Sequence, residues 1–413
     1  MYLIPFAAVA LASCSNESID SQEKRVALNE GTALNIAPAV QGTTRGTITT
    51  DANFTQFRVK ASGSDNFYTT STAEAPSQDA ITNGTGSIGT SFQETVNLNT
   101  STGKWYIGDT EGTYYWWKSK SMTGSFEAWA PYSTATGAFA PGSEYQVKSD
   151  LDQQEDIIVA YNTGAGSDFT SGVPLNFQHA MSQVIIKALN KDASSTKIEV
   201  AGIRLNNLKN TGKLASVTTP TTSGTFAWPD GAWNLGSPTA IYNVGSTDAA
   251  EPASGITVLT TAATQLTSTP FLLMPQTTAK ADLTAAAVSG AYFSVLIRVT
   301  DIADNNVTYP TWLTSAEGVS NVPSAGTLFA YVAVPVDIDW KPGYKYTYTL
   351  NFSSTGIGKV DPSQPTDKPD DALKYPTGKD TPAGTDIVDG PVQLYFTTTV
   401  EEWTDGGNNP IDM

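Results

Sequence analysis

Side chains that perform acid–base, nucleophilic or metal chemistry are scarce in this 413-residue chain, which has one histidine, His179, and one cysteine, Cys14. Zinc coordination and the Cys/His or Ser/His/Asp forms of covalent catalysis are left without their usual donors. Carboxylates are abundant, with 40 Asp plus Glu, and two of them at a set separation are all that glycoside hydrolysis requires. Here the acids fall mostly in turns and loops, and no pair is singled out by its surroundings, so no catalytic residue is assigned and no enzyme is expected. His179 alternates with Phe177 and Met181 and has no second His or Cys to complete a common metal site, so it reads as a structural residue. No metal site and no cofactor are expected.

Two further features carry candidate chemistry. The run GTGSIG at 84–89 matches G-x-G-x-x-G, but it follows no convincing strand and opens no helix, so it reads as a glycine loop. Aromatic rings are dense in KWYIG and YYWWK, and Trp105, Trp116 and Trp117 are candidate glycan contacts because flat rings stack on sugars. The competing reading places the same rings in a sandwich core and at strand edges, where aromatics also serve well.

Lys plus Arg number 23, so the net charge is −17. Such a chain repels polyanions, and nucleic-acid partners are excluded. Beyond the first residues no apolar run approaches the roughly 20 residues of a membrane-spanning helix. The N-terminus is different: residues 1–10, MYLIPFAAVA, have the character of a signal-peptide h-region, and the small residues Ala12 and Ser13 precede Cys14. Leu11-Ala12-Ser13-Cys14 resembles a bacterial lipobox, in which the cysteine becomes the lipidated first residue of the mature protein. Several acyl chains make a lasting anchor where one is marginal. The signal peptide is thus residues 1–13 and the lipidation site Cys14. No Lys or Arg precedes the apolar run, which leaves open whether Met1 is the true start.

Elements able to position these residues are almost all strands. Phe54, Phe57 and Val59 open the first, and Phe126 and Ala128 alternate with Glu127 and Trp129 in the run GSFEAWA. In YKYTYTLNF, Tyr344, Tyr346, Tyr348 and Leu350 share one face by strict alternation. Helical periodicity is never sustained. The expected class is all-β, with two tandem sandwiches. Residues 358–390 are rich in Pro and Asp and are expected to be a flexible segment, extended, solvated and poorly ordered.

Several segments in this order resemble the fimbrillin family, the lipoprotein-derived subunits of type V pili in Bacteroides-like bacteria: the lipobox, TRG at 44–46, FEAWAPYS, EDIIVAYNTG, PLNFQHAMSQVIIKAL, YTYTLNF with GIG, and FTTTVEEW. The resemblance runs across essentially the whole chain. It implies two transthyretin-like β-sandwiches and a fimbrial subunit for adhesion, in a stalk or in a tip or accessory position. It further implies transport to the outer membrane as a lipoprotein, then cutting by an Arg-specific trypsin-like protease. The chain would finish in a surface fimbrium together with other fimbrial subunits.

Arg45 and Gly46 match the family's cleavage position, and Arg25 is the competing site. The implied organisation is a pro-segment at 14–45, a first sandwich at 46–172 and a second at 173–413. Within the pro-segment, residues 34–40 are the candidate removable strand, with Leu34 and Ile36 in alternation. At the other end, residues 391–403 place Val392, Leu394, Phe396, Thr398 and Val400 on one face, as a strand donated to a neighbour or as the permanent last strand of the second sandwich. The alternative function is a surface glycan-binding lipoprotein that uses the aromatics named above. A host or bacterial surface glycan or protein is the corresponding partner.

Overall fold

A computed structural model describes residues 32–40, 54–215, 222–224, 226–237, 239–245, 255–310, 329–354, 356–362, 384 and 395–402. The first half contributes β1 (Thr32–Ala33), β2 (Ile36–Val40), β3 (Gln56–Thr70), β4 (Ser87–Asn99), β5 (Lys104–Ile107), β6 (Tyr114–Trp117) and β7 (Thr123–Ala130). After them come β8 (Glu144–Gln146), β9 (Ile158–Ala165) and β10 (Val173–His179). Among the described residues one short α-helix, α1 (Gln78–Asn83), interrupts them; Ser77 caps its start, and Gly84, with φ of 71°, ends it. The glycine run at 84–89 therefore closes a helix and leads into β4, which agrees with its reading as a loop.

Among the described strands, nine form the first sheet, ordered β1-β6-β3-β7-β9-β10-β2, with β4 pairing β3 and β5. Alternation explains the packing: Phe57, Val59 and Ala61 of β3, Phe126 and Ala128 of β7, and Val173, Leu175 and Phe177 of β10 all point into one core. Because β1 and β2 lie at opposite ends of that strand order and are separated in sequence by only Leu34 and Asn35, the sheet must curl until its two edges meet.

The second half contributes β11 (Ser182–Asn190), β12 (Thr196–Lys209), β13 (Thr211–Leu214), β14 (Trp233–Leu235), β15 (Thr239–Gly245), β16 (Thr257–Val258), β17 (Thr264–Gln265) and β18 (Phe271–Leu273). Then follow β19 (Thr277–Thr278), β20 (Tyr292–Asp301), β21 (Val307–Tyr309), β22 (Ala330–Pro335), β23 (Ile338–Asp339), β24 (Tyr344–Phe352), β25 (Lys359–Val360) and β26 (Tyr395–Glu402). Two sheets face each other: β17-β11-β24-β26 with β18, and β15-β12-β20-β22-β25 with β16 and β21. Their inward residues form one core, in which Phe293 of β20 meets Tyr348 of β24 edge to face at 5.1 Å. Tyr346, Tyr348 and Leu350 are buried and Tyr344 packs at the core's margin, as strict alternation requires.

The chain is all-β and of sandwich type, as expected. The division expected after residue 172 differs from the observed sheet membership, because β10 (Val173–His179) belongs to the first sheet and the chain crosses to the second sandwich at Ala180 and Met181. In the opposite sense, β8 pairs with β13, and Phe139, Tyr145, Val147 and Ile157 are buried in the second core. Trp129, Val159 and Tyr161, on the outer face of the first sheet, pack into that core as well. At the crossing lies His179, buried, with Nδ1 2.9 Å from the buried Asp156 Oδ1. It is a structural residue in a polar pair, in line with its sequence context.

Candidate functional site

The feature with the clearest functional geometry is the seat of the N-terminal segment. Thr32 and Ala33 pair antiparallel with Trp117 and Trp116 on one edge of the first sheet. The backbone then crosses, with the Leu34 N–H donating to the Tyr115 carbonyl at 2.8 Å. Next, the Val173 N–H donates to the Asn35 carbonyl at 2.8 Å, and residues 36–40 run parallel to 173–177, from Ile36↔Val173 to Val40↔Phe177. Residues 32–40 thus stitch together both edges of a curled sheet along a single line of closure, the seam.

Each part of the seat has a local cause. Leu34 falls where the segment turns inward and is only 3% exposed, a member of the first core, and Ile36 packs against the same core. Beneath lie Phe177 and its ring neighbours Phe54, at 4.9 Å, and Phe57, at 5.0 Å. Gly172 turns the chain into β10 with φ of 104°, and a Cβ there would stand 3.3 Å from the Asn35 Cβ, so close approach and positive φ both call for glycine. On the other edge, Lys118 follows β6 directly and its Nζ lies 2.7 Å from Asp65 Oδ2, which ties that edge to the bend of β3. The hydrogen bond from Lys118 holds the Asp65 carboxyl below its ordinary range.

Ladder register matters more here than side-chain chemistry. Along 173–177 the ladder partners of β10 among the described residues are all in β2, since β9 pairs with β10 at Gln178↔Val159 and His179↔Ile158. Were the segment to leave, residues 173–177 would lose their ladder partner, and β6 would keep β3 on one side and expose its other edge at Trp116 and Trp117, beside an apolar gap at Leu34. Such an edge is a template for another extended chain.

Other sequence-derived candidates are placed differently. Trp117 has no exposed surface and Trp116 is 1% exposed. Trp117 lies among Phe67, Phe126 and Phe169, and Trp116 among Tyr68 and Ile81, with its Nε1 donating to Thr70 Oγ1 at 2.9 Å. The glycan platform built on these two rings is therefore corrected, because neither has a face to offer a sugar. Trp105 is half-buried and packs against Phe54 and Phe57 at 5.3 Å. Thr398 is exposed on β26, which pairs antiparallel with β24 from Tyr344↔Glu402 to Asn351↔Tyr395. Cys14, Arg25, Arg45, Gly46, Val392 and Leu394 lie outside the described residues, as do the side chains of Phe396 and Val400. No helix among the described residues is long and apolar enough to cross a membrane, which says nothing of β-barrels.

A family model of fimbrillin-like proteins matches residues 66–363, well over half of the chain. The chain belongs to the fimbrillin-like family. Solved structures similar to it include a fimbrial protein from Bacteroides vulgatus ATCC 8482, at 14% identity and a TM-score of 0.45, over 78% of this chain and 95% of that one. A protein assigned to cell adhesion from Bacteroides uniformis ATCC 8492 is 14% identical with a TM-score of 0.34, over 91% of this chain and 100% of the other. Another, from Parabacteroides distasonis ATCC 8503, is 10% identical with a TM-score of 0.40, again over 91% and 100%. No curated protein matches the sequence.

Proposed function

We propose that this chain is a subunit of surface fimbriae used in adhesion. It is exported as a lipoprotein on Cys14, cut after Arg45, and assembled when a strand from another subunit replaces residues 32–40 in the seam. One observation carries the reading: a short stretch lying before the candidate cut site supplies both closing ladders of the first sandwich and one buried anchor, Leu34. Its departure would leave edges that only another extended chain satisfies at the same register. Family membership supports the same assignment, and the scarcity of catalytic side chains suits a structural role.

In this reading Cys14 and its lipid leave with the segment, so the anchor serves export and not the finished fibre. The proposed partners are other fimbrial subunits, the Arg-specific protease and, before cutting, the outer membrane. The last strand, residues 391–403, is the candidate for donation in turn; within this chain its residues 395–402 are seated against β24, and donation would require their release. Immunoelectron microscopy of cells producing a tagged chain tests the assignment. Label along fibres or at their ends supports it, and label confined to bare membrane contradicts it.

A further inference from the structure

The seam raises a physical difficulty. Residues 173–177 of β10 have β2 as their ladder partner, so a vacated seam would leave this stretch without a ladder along either edge among the described residues. A strand-binding edge must hold its extended shape while empty, or the next strand must pay to order it again. Val173, Leu175 and Phe177 anchor the inner face of β10 in the core. What fixes its polar face and its direction is a separate question.

The answer lies in the connection between β13 and β14, which belongs to the second half of the chain. Part of this connection, residues 222–224 and 226–228, lies across β9 and β10 of the first sheet. Asn176 Nδ2 donates to the Ser223 carbonyl at 2.8 Å, and Gln178 Nε2 donates to the Phe226 carbonyl at 2.9 Å. The buried Asn162 of β9 donates through Nδ2 to the Pro174 carbonyl at 2.6 Å and to the Thr222 carbonyl at 3.3 Å. Asn162 thereby fills the stretch where β9 and β10 make no ladder. Phe226 is seated edge to face on Tyr161 of β9 at 5.2 Å. Gly224, with φ of 74°, sits so near Pro174 that a Cβ would come within 2.5 Å of the Pro174 carbonyl oxygen. A side chain at that position would push the connection away from β10.

The geometry points to residues 222–224 and 226–228 as a brace for the acceptor edge, with Asn176, Gln178 and Asn162 as positioning residues for strand exchange. The inference rests on the seam reading above. All three side-chain amides donate to main-chain carbonyls, so the brace reads backbone shape and leaves the opposite edge of β10 open to an incoming strand. Any extended peptide that runs parallel to β10 with one leucine-sized anchor fits the braced edge. Because the brace comes from the second half of the chain, the acceptor site is complete only when both halves are folded.

The test uses the full chain, cut after folding between residues 45 and 46, with a fluorescent peptide of residues 32–40, TALNIAPAV, as probe. Wild type, N176A/Q178A and the single substitution N176A are compared. Two side-chain bonds of ordinary net strength translate into about a tenfold weaker uptake of the probe by N176A/Q178A. The uncut variant loses the same two bonds, so its unfolding midpoint should fall modestly, by what two ordinary hydrogen bonds contribute. Hydrogen exchange at residues 173–177 gives a second readout: in the cut chain these amides should exchange faster in the variant, and in the uncut chain at equal rates. Unchanged uptake and exchange would overturn the brace. So would exchange at 173–177 that is faster to the same degree in cut and uncut variants, since this is what ordinary interdomain packing produces. If cut wild type takes up no probe at all, the seam reading fails, and the exchange comparison still decides the brace.

Discussion

The Val173 N–H donates to the carbonyl oxygen of Asn35 at 2.8 Å, and from that bond onward β2 and β10 run parallel. Most ladders in this fold are antiparallel, and the ladder between β11 and β24 is the other long parallel one among the described residues. The candidate cut site, Arg45, lies between the two bonded residues in sequence. Proteolysis there would turn an internal contact into one between two separate chains.

Leu34 is the segment's buried anchor. Leu34→Ala should lower the stability of the uncut chain by about 2–4 kcal/mol, the usual range for a buried leucine, while Leu34→Met should cost less than about 1.5 kcal/mol. Denaturant unfolding measures both. Equal, negligible effects would mean that Leu34 does not hold the segment.

Gly172 combines φ of 104° with close approach to Asn35. Gly172→Ala should cost about 1 kcal/mol or more through backbone strain. Its effect should appear as faster release of residues 32–40 after cutting, followed by mass spectrometry.

Trp116→Ala should destabilise the first sandwich by about 3–5 kcal/mol, as expected for a buried large aromatic. A glycan array read at equal folded fraction should show no specific loss, since the ring has no exposed face. Loss of a defined glycan signal by a fully folded variant would restore the platform reading.

Glu127 gives a pH signature. Burial raises its carboxyl above the ordinary 4.5, against the opposing influence of Lys60 and of the neighbouring Tyr161. The folded state therefore binds this proton at higher pH than the unfolded state, so the group's contribution grows more favourable as pH falls through the folded value and levels off below about 4.5. Glu127→Gln lacks this dependence. Its stability relative to wild type should be greatest near neutral pH and decline on acidification, and a difference independent of pH would contradict the assignment.

Strict alternation makes some strands legible in sequence. Tyr344 to Leu350 read correctly because one face of β24 is buried and the other is not. Phe57 and Val59 announce β3, but its continuation to Thr70 is hidden by polar residues, which the pairing with β4, β6 and β7 holds extended. Trp116 and Trp117 mislead for the opposite reason: both faces of β6 are covered, one by the main core and the other by Tyr68 and Ile81, so adjacent rings are buried together. The helix α1 is six residues long, too short for a period to show. The crossing between sandwiches is not legible either, since the alternation of Val173, Leu175 and Phe177 is the same whichever sheet β10 joins.

The seam is legible only in part. Leu34 and Ile36 mark an apolar segment, whereas its role in closing two edges depends on β6 and β10, which are distant in sequence. No local pattern encodes such a closure.

The central claim is that residues 32–40 are a replaceable occupant of a strand-binding seam. Limited trypsin digestion of the folded full chain, followed by native mass spectrometry with excess isotope-labelled TALNIAPAV peptide, tests it most directly. The account predicts cutting after Arg45 and then either one labelled peptide per cut chain in place of the original segment, or association of cut chains into oligomers. A cut chain that keeps its original segment indefinitely, or that loses it and remains a monomer taking up nothing, would contradict the account.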